Sequence, residues 1–465
     1  MNKSLTLANY LREYMKRGVQ FFAFSLACLL SASAVAQSGA LREVSLPEAI
    51  KAALKNDPQF QAALAAREVG AEKEVIARGG LLPTISAAIT NYPNSVTESR
   101  IPNAAIASQR EWAENRYSLA TKSITLRQPV IRLRNWAAYL QGKTQAEQAS
   151  EKLRFDRYEA ITRIVEIYAN WLTAEKRIAS EAAKNTFFTE RLKQIQELRL
   201  RGQATITDEL QAQAELRRST FELAEARRDL AFLNERFTQI VGAATRPKPF
   251  DEELSENLLK SIDSLEALKA KALQKNPEIH ALRLSAESAR WDIKKFQADH
   301  IPVLDFVANY AEENNATAVF LGRETRTTTF GFQLTIPIYQ GGVVDASTRQ
   351  AVAEWRRLQA EVTNAEQRVN NDLARLYASL ESAVKLSEFA RGQAKFADEN
   401  LLSTVRQQQL GFKTSIDTLK AQETTTTGEY DRARALSLWT ISKIELLALT
   451  GDLDYIEENQ GQLLK

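Results

Sequence analysis

The sequence predicts a mainly helical, exported protein with a smaller membrane-spanning β part, written twice along one chain. Three observations predict it. Proline is absent between Pro129 and Pro247 and again after Pro337, so stretches of over a hundred residues lack the strongest helix breaker. Landmark residues recur at a near-constant spacing. Segments of about ten residues alternate apolar and polar side chains with period two, the pattern and length of a tilted membrane strand.

The N-terminus is read first because it is expected to be removed. Lys3, Arg12, Lys16 and Arg17 against Glu13 precede an apolar run from Val19 to Leu30, and Ala34-Val35-Ala36 is a small-x-small cleavage site ahead of Gln37. Residues 1–36 are a secretory signal peptide on this reading. The competing reading is acylation at Cys28, but Ser25-Leu26-Ala27 fits a lipobox poorly and Leu29-Leu30 leaves apolar residues after the anchor. The chain has 61 Lys and Arg against 58 Asp and Glu. The signal segment itself carries that surplus, so the remainder is balanced and offers no electrostatic case for a nucleic-acid partner. The one cysteine, Cys28, leaves with it, so stability must come from packing and assembly rather than disulfides. With 44% hydrophobic and 26% charged residues, the chain is neither disordered nor collagen-like, nor an inner-membrane helical bundle.

The elements follow in order. Ser45-Leu46, Leu54, Asp57-Pro58 and Leu82-Pro83 recur 219 residues later as Ser264-Leu265, Leu273, Asn276-Pro277 and Ile301-Pro302. Leu126 and Pro129 recur 208 later as Leu334 and Pro337; Gly202, Asp208, Leu210, Ala212, Gln213 and Gly242 recur 209 later as Gly411, Asp417, Leu419, Ala421, Gln422 and Gly451. The two repeats are 37–250 and 251–465, with a linker near Ala243–Leu259 where Pro247 and Pro249 break the pattern. Each runs short helix, longer helix, two strands, very long helix, tip, return helix. Leu153, Ala160, Ile164, Ile167, Trp171 and Ala174 step by 7, 4, 3, 4 and 3, a coiled-coil seam, and adding 209 gives Val362, Val369, Leu373, Leu376, Leu380 and Ala383, all apolar. Ile131–Arg201, if helical throughout, spans about 105 Å at about 1.5 Å per residue, far more than the roughly 30 Å of a bilayer core.

Strands are expected at about 84–92, 117–128, 303–312 and 327–338. In the last, Thr328, Phe330, Phe332, Leu334, Ile336 and Ile338 share one face, opposite Thr327, Thr329, Gly331, Gln333 and Thr335; in the third, Leu304, Phe306, Ala308 and Tyr310 lie opposite Val303, Asp305, Val307 and Asn309. Four strands cannot close a barrel, since about eight is the smallest number that fills its own interior. An open sheet edge in hydrocarbon leaves backbone groups unpaired, so copies of the chain must share a wall.

Taken in order, Ser45-Leu46-Pro47-Glu48-Ala49-Ile50, Asn56-Asp57-Pro58, Gly80-Leu81-Leu82-Pro83, Gln128-Pro129-Val130, the Gly202…Ile206-Thr207-Asp208 tip and Ile336-Pro337-Ile338-Tyr339-Gln340-Gly341-Gly342 resemble the TolC family of outer-membrane efflux and type I secretion channels. The resemblance covers the whole chain after the signal. It implies a homotrimer, hence a twelve-stranded barrel in outer-membrane lipid continued into a periplasmic helical tunnel. It implies a periplasmic adaptor and an inner-membrane ABC or proton-driven transporter as partners, and a Gram-negative outer-membrane location.

The same resemblance places a gate at the two helix-hairpin tips. Gly202 and Gly411 mark the turns, where positive φ suits glycine. The family closes its tip with links between a basic residue on one hairpin and a Thr-Asp pair on the other, which here are Lys413, Thr207 and Asp208. Lys413 is expected to latch Asp208; the alternative is two solvated charges. Asp417 would form an acidic pore ring, favouring cations. Where the family often has a second acid three residues on, this chain has Lys420, and a mixed ring is expected. His280 and His300 have no cysteine or second histidine near by, no phosphate cradle or serine elbow stands out, and neither cofactor, metal nor catalysis is expected. Trp112, Trp136, Tyr117, Tyr310, Phe330 and Tyr339 flank the strands and suit either interfacial belts or packing. A secreted coiled-coil scaffold or adhesin would account for the heptads but not for the apolar strand faces.

Overall fold

The computed structural model describes residues 42–102, 110–250, 263–317 and 323–453. The signal segment, Cys28 and linker residues 251–259 lie outside these. Two units are distinguished by their internal contacts. The smaller, among its described residues, comprises 42–43 and 244–246 from the short strands β1 (Arg42–Val44) and β4 (Thr245–Pro247), with Arg246 and Glu43 ion-paired at 3.1 Å.

The larger unit holds everything else. In chain order it contains α1 (Leu46–Asn56), α2 (Pro58–Gly79), β2 (Thr84–Pro102), β3 (Arg110–Ile131), α3 (Leu133–Leu200) and α4 (Ile206–Val241). Then follow α5 (Leu265–Lys275), α6 (Pro277–Gln297), β5 (Val303–Thr317), β6 (Arg323–Thr335), α7 (Val343–Gln409) and α8 (Ser415–Thr450). The 68 residues of α3 run for about 100 Å at about 1.5 Å per residue. Corresponding helices have nearly equal lengths: 11 and 11 residues for α1 and α5, 22 and 21 for α2 and α6, 68 and 67 for α3 and α7, 36 and 36 for α4 and α8.

Local chemistry sets the helix starts. Asp57 caps α2 by accepting from the Gln59 N–H at 3.0 Å, and Asn276 caps α6 by accepting from Ile279 at 3.0 Å; proline follows each at the first helical position, where no donor is needed. α4 and α8 both end at glycine with φ of 81° and 77°.

The long helices pack laterally along their heptad faces. Ala160, Ile164, Ile167, Trp171 and Ala174 of α3 are buried, as are Val369, Leu373, Leu376, Leu380 and Ala383 of α7; Leu153 and Val362, first in each series, are half-buried. One core gathers α1, α3, the end of α4 and Ile444 around Tyr168 and Phe237, and Tyr168 hands its hydroxyl to the carbonyls of Lys248 at 2.6 Å and Val44 at 3.1 Å. A second gathers α5, α7 and α8 around Leu373, Leu380 and Trp439. The helix α3 packs on α1, α2, α4, α6 and α8, whereas α7 packs on α5, α6 and α8. The α2–α3 seam is tight at Gly142, where a Cβ would stand 2.7 Å from the Lys73 carbonyl oxygen.

The sheet runs β2-β3-β5-β6, antiparallel throughout, with β2 and β6 as open edges. Its strands are longer than the alternation suggests. β2 continues to Pro102 past a register shift between Tyr92 and Ser95, and β3 begins at Arg110. The sequence pattern stops at Pro93 and the charged residues after it, but a bulge absorbs the proline and the ladder resumes. β6 ends at Thr335, earlier than expected, because Pro337 has no donor to extend the ladder. Register sorts the two faces. Ile85, Leu126, Ala308 and Phe330 line up across all four strands on one face, while Ser86, Thr125, Asn309 and Thr329 line up on the other, with Thr125 donating to Asn309 Oδ1 at 2.9 Å. The apolar face stops at a charged row, Lys122, Glu312 and Arg326, the last two paired at 3.3 Å. Where sheet meets helices, Arg132 pairs with the buried Asp305 at 2.5 Å.

Gly142→Val should lower unfolding stability by about 1–3 kcal/mol, the usual range for overpacking, because the new methyls meet the α2 backbone rather than a side chain that can move. Thermal unfolding followed by helical circular dichroism checks it.

Candidate functional site

The two reversals of the long helices carry the charged and hydroxyl residues that sequence reading singled out. Both tips are built alike. Gly202 has φ of 72° and Gly411 of 81°, a region that L side chains rarely adopt. Each closes a Schellman turn: Gln203 N–H donates to the Leu198 carbonyl at 2.8 Å and Gly202 N–H to Arg199 at 2.9 Å, and Phe412 and Gly411 do the same to Gln407 and Gln408, both at 2.9 Å.

The return helices then start with reciprocal capping boxes. Asp208 Oδ2 accepts from the Thr205 N–H at 2.8 Å and hydroxyl at 2.7 Å, while Asp208 N–H donates to Thr205 Oγ1 at 3.2 Å. Asp417 and Thr414 repeat this at 2.9, 2.8 and 3.3 Å. The two donors from Thr205, backbone first, hold the Asp208 carboxyl below its ordinary range. Asp417 is lowered the same way by Thr414, with a smaller contribution from the charge of Lys413. Thr205 and Thr414 were missed in the sequence, although Thr-x-x-Asp opening a helix is a readable signal.

Below the caps the tips differ. Glu209 is buried between α3 and α4, ion-paired to Arg199 and accepting from Gln196 at 3.2 Å and Gln213 at 3.3 Å. The hydrogen bond from Arg199 leads the causes that lower its pKa. At the matching place on the second hairpin, Thr418 donates to Gln408 Oε1 at 2.6 Å. One tip is tied by charge, the other by a neutral bond.

Within one chain Lys413 and Asp208 form no ion pair among the described residues. They sit on different hairpins, and one Asp208 oxygen is already engaged by Thr205. Thr207 is exposed on the first turn of α4. Lys420 reaches sideways, its Nζ 2.7 Å from Glu423 Oε2 and 5.3 Å above the ring of Phe187 on α3. His280 lies against the Gln274 carbonyl and His300 is 3.4 Å from Asp345. No group of three or more metal-type ligands occurs among the described residues, and no described helix is long and apolar enough to cross a membrane.

Comparison with known proteins matches residues 49–243 and 268–452 to the family model described as outer membrane efflux protein. The chain is 25% identical over 443 residues to the proteases secretion protein PrtF of Dickeya chrysanthemi, covering 94% of each chain. It is 26% identical over 376 residues to the alkaline protease secretion protein AprF of Pseudomonas aeruginosa, covering 80% of this chain and 77% of the relative. Its fold is similar to the crystal structure of the outer membrane protein VceC of Vibrio cholerae, with a TM-score of 0.66 at 16% identity over 87% of this chain and 96% of that one.

Because both capping carboxylates have lowered pKa values in the fold, their contribution is complete above the ordinary carboxylate range and is lost as pH falls through the folded values. Acidification below about pH 4 should therefore weaken both tips. The Asp208→Asn/Asp417→Asn variant should show a flatter decline of melting temperature between pH 6 and pH 3 than the unaltered chain, measured by circular dichroism.

Proposed function

This chain belongs to the outer membrane efflux protein family of Gram-negative outer-membrane exit channels, and on that premise we propose that three copies assemble into one duct opened at its periplasmic tips. The open four-stranded sheet carries the reading. Phe330 and Phe332 are 78% and 70% exposed on a face whose reverse is threonine, asparagine and glutamine, which suits lipid on one side and a water-filled lumen on the other. Both edge strands have unpaired backbone on one side, and only pairing β6 of one copy to β2 of the next removes those edges in hydrocarbon. Three copies then give a twelve-stranded barrel.

The helices support the same closure. Chain halves 37–250 and 251–465 act as duplicated units with matching helix lengths, so α7 should have the neighbours that α3 has. It lacks counterparts on one side, which another copy supplies. A secreted scaffold or adhesin would have no use for phenylalanines as exposed as Phe330 and Phe332 on a sheet face.

The partners are a periplasmic adaptor and an inner-membrane transporter. PrtF and AprF bear the names of protease secretion proteins, which favours type I export of a protein, with an ATP-driven transporter, over a proton-driven efflux pump for small molecules. The gate lies at the tips, with Lys413 of one hairpin latching Asp208 across a copy boundary beside Thr207, and with Asp417 and Lys420 near the constriction. Weak links repeated by symmetry hold shut yet open when an adaptor docks.

Detergent-solubilised protein should scatter light as three chains and form ion-conducting channels in planar bilayers; a folded monomer in plain buffer would sink the proposal. Lys413→Glu should raise mean conductance severalfold, because it places like charges at the latch. Lys420→Asp should shift reversal potentials toward cation preference, whereas an unchanged potential would remove Lys420 from the constriction.

A further inference from the structure

A cavity of about 490 Å³ lies midway along α3 and α7, where α4 and α8 end and α2 and α6 begin. Its volume is that of a small-molecule site. Along α3, Phe155, Glu159, Thr162 and Glu166 step by 4, 3 and 4 and line it from one face. Ile161, Ile164 and Tyr168, packed with α1, occupy the opposite face. The cavity and α1 therefore lie on opposite sides of the helical layer. In the duct proposed above, α1 on the inside would fill the lumen, so the cavity opens to the lumen.

Charge crosses the cavity in a fixed order. From α4 through α3 and α8 to α7, each packed on the next, the wall presents Arg236, Glu166, Glu445 and Arg375. The outer two are positive and the inner two negative. Residues 209 apart invert their sign here: Arg236 matches Glu445 and Glu166 matches Arg375. The inversion sets two acids side by side.

Several of these charges lack a partner. Among the described residues Glu159, Glu166 and Glu445 have no ion pair and Arg236 has no carboxylate partner, whereas Arg163 is taken by Asp57 and Arg375 pairs with Asp372 at 3.5 Å. Burial pushes the Glu445 carboxyl above its ordinary range; Arg375 opposes this, and Glu166 and Asp372 add to it. A cation between Glu166 and Glu445 relieves that repulsion. A purely cationic guest leaves Arg236 unpaired, and a purely anionic one meets the two acids. Phe155, Leu376 and Leu449 offer apolar contact between the charged groups.

We propose that this cavity binds an amphoteric peptide segment, with a basic side chain between Glu166 and Glu445, an acidic one on Arg236 and an apolar one against Phe155 and Leu376. The proposal rests on the duct reading, in which such segments belong to the exported polypeptide, and adds a way-station in the wall. Pairs open to water are individually weak, so a segment is held briefly and passes on.

Channels in planar bilayers test it, with the end-capped tripeptide acetyl-Lys-Leu-Glu-amide as the probe. Unaltered protein should show brief current blocks whose dwell time falls about threefold or more in Glu445→Gln and in Arg236→Gln, the scale of one exposed ion pair. Exchanging either charged residue of the probe for glutamine should shorten blocks of the unaltered channel to the same degree, a reading that needs no variant to fold. In Arg236→Gln the acidic residue of the probe should no longer matter, which assigns that contact. Conducting channels that the probe never blocks, or blocks of equal length from every probe, overturn the site and leave the duct standing. Blocks that depend on the probe's charges but not on Arg236 or Glu445 put binding elsewhere in the duct and also overturn it. Protein that forms no channel overturns the duct and, with it, a site inside one.

Discussion

A backbone amide in hydrocarbon has no water to pair with, and the rest of this molecule follows from that. Four antiparallel strands satisfy their inner neighbours but leave the outward N–H and C=O groups of β2 and β6 without partners. The same sheet shows phenylalanine and isoleucine on one face and threonine on the other, the division that the proposed shared barrel requires. The helical part leaves an equivalent gap: α3 is flanked on both sides, α7 on one. Sheet and helices are both open at the edges of the chain, and in the proposed assembly one operation, adding the next copy, completes both.

On the proposed duplication, each half is a control for the other, because positions matched by helix length share backbone geometry but not surroundings. Where the halves agree, as in the capping boxes Thr205/Asp208 and Thr414/Asp417 or the positive φ of Gly202 and Gly411, the cause is local. Where they diverge, as between buried Ser180 and exposed Phe389, the cause is the neighbour. The tips show the same divergence: Arg199 and Glu209 tie one hairpin by charge, and Gln408 and Thr418 join the other by a neutral hydrogen bond. Added salt screens the first joint more than the second.

Much of the fold was legible because it is periodic. Heptad spacing located the α3 and α7 cores except at the first position of each series, Leu153 and Val362, which are half-buried, and absent proline announced long helices. The strand ends were less legible. Pro93 and the charged residues beyond it look like a loop, yet inter-strand pairing continues to Pro102 because a bulge costs less than abandoning the ladder. At the tips the turns could be read from glycine, but the acids were read for their charge alone. Their first role in the chain is to satisfy amides at a helix start, which Thr-x-x-Asp spacing could have indicated.

The sequence by itself determined the periodicities: which residues face a helix seam, which alternate across a sheet, where glycine must turn the chain, and that a single copy has too few strands to close. These are local consequences of 3.6 and 2.0 residue repeats and of backbone sterics. Only the tertiary structure decided which helix faces are covered, which helices pack on α3 and on α7, and that Lys420 stands over Phe187 of another helix. Those outcomes depend on packing between residues far apart in the chain, and such pairings leave no mark on the spacing of either partner.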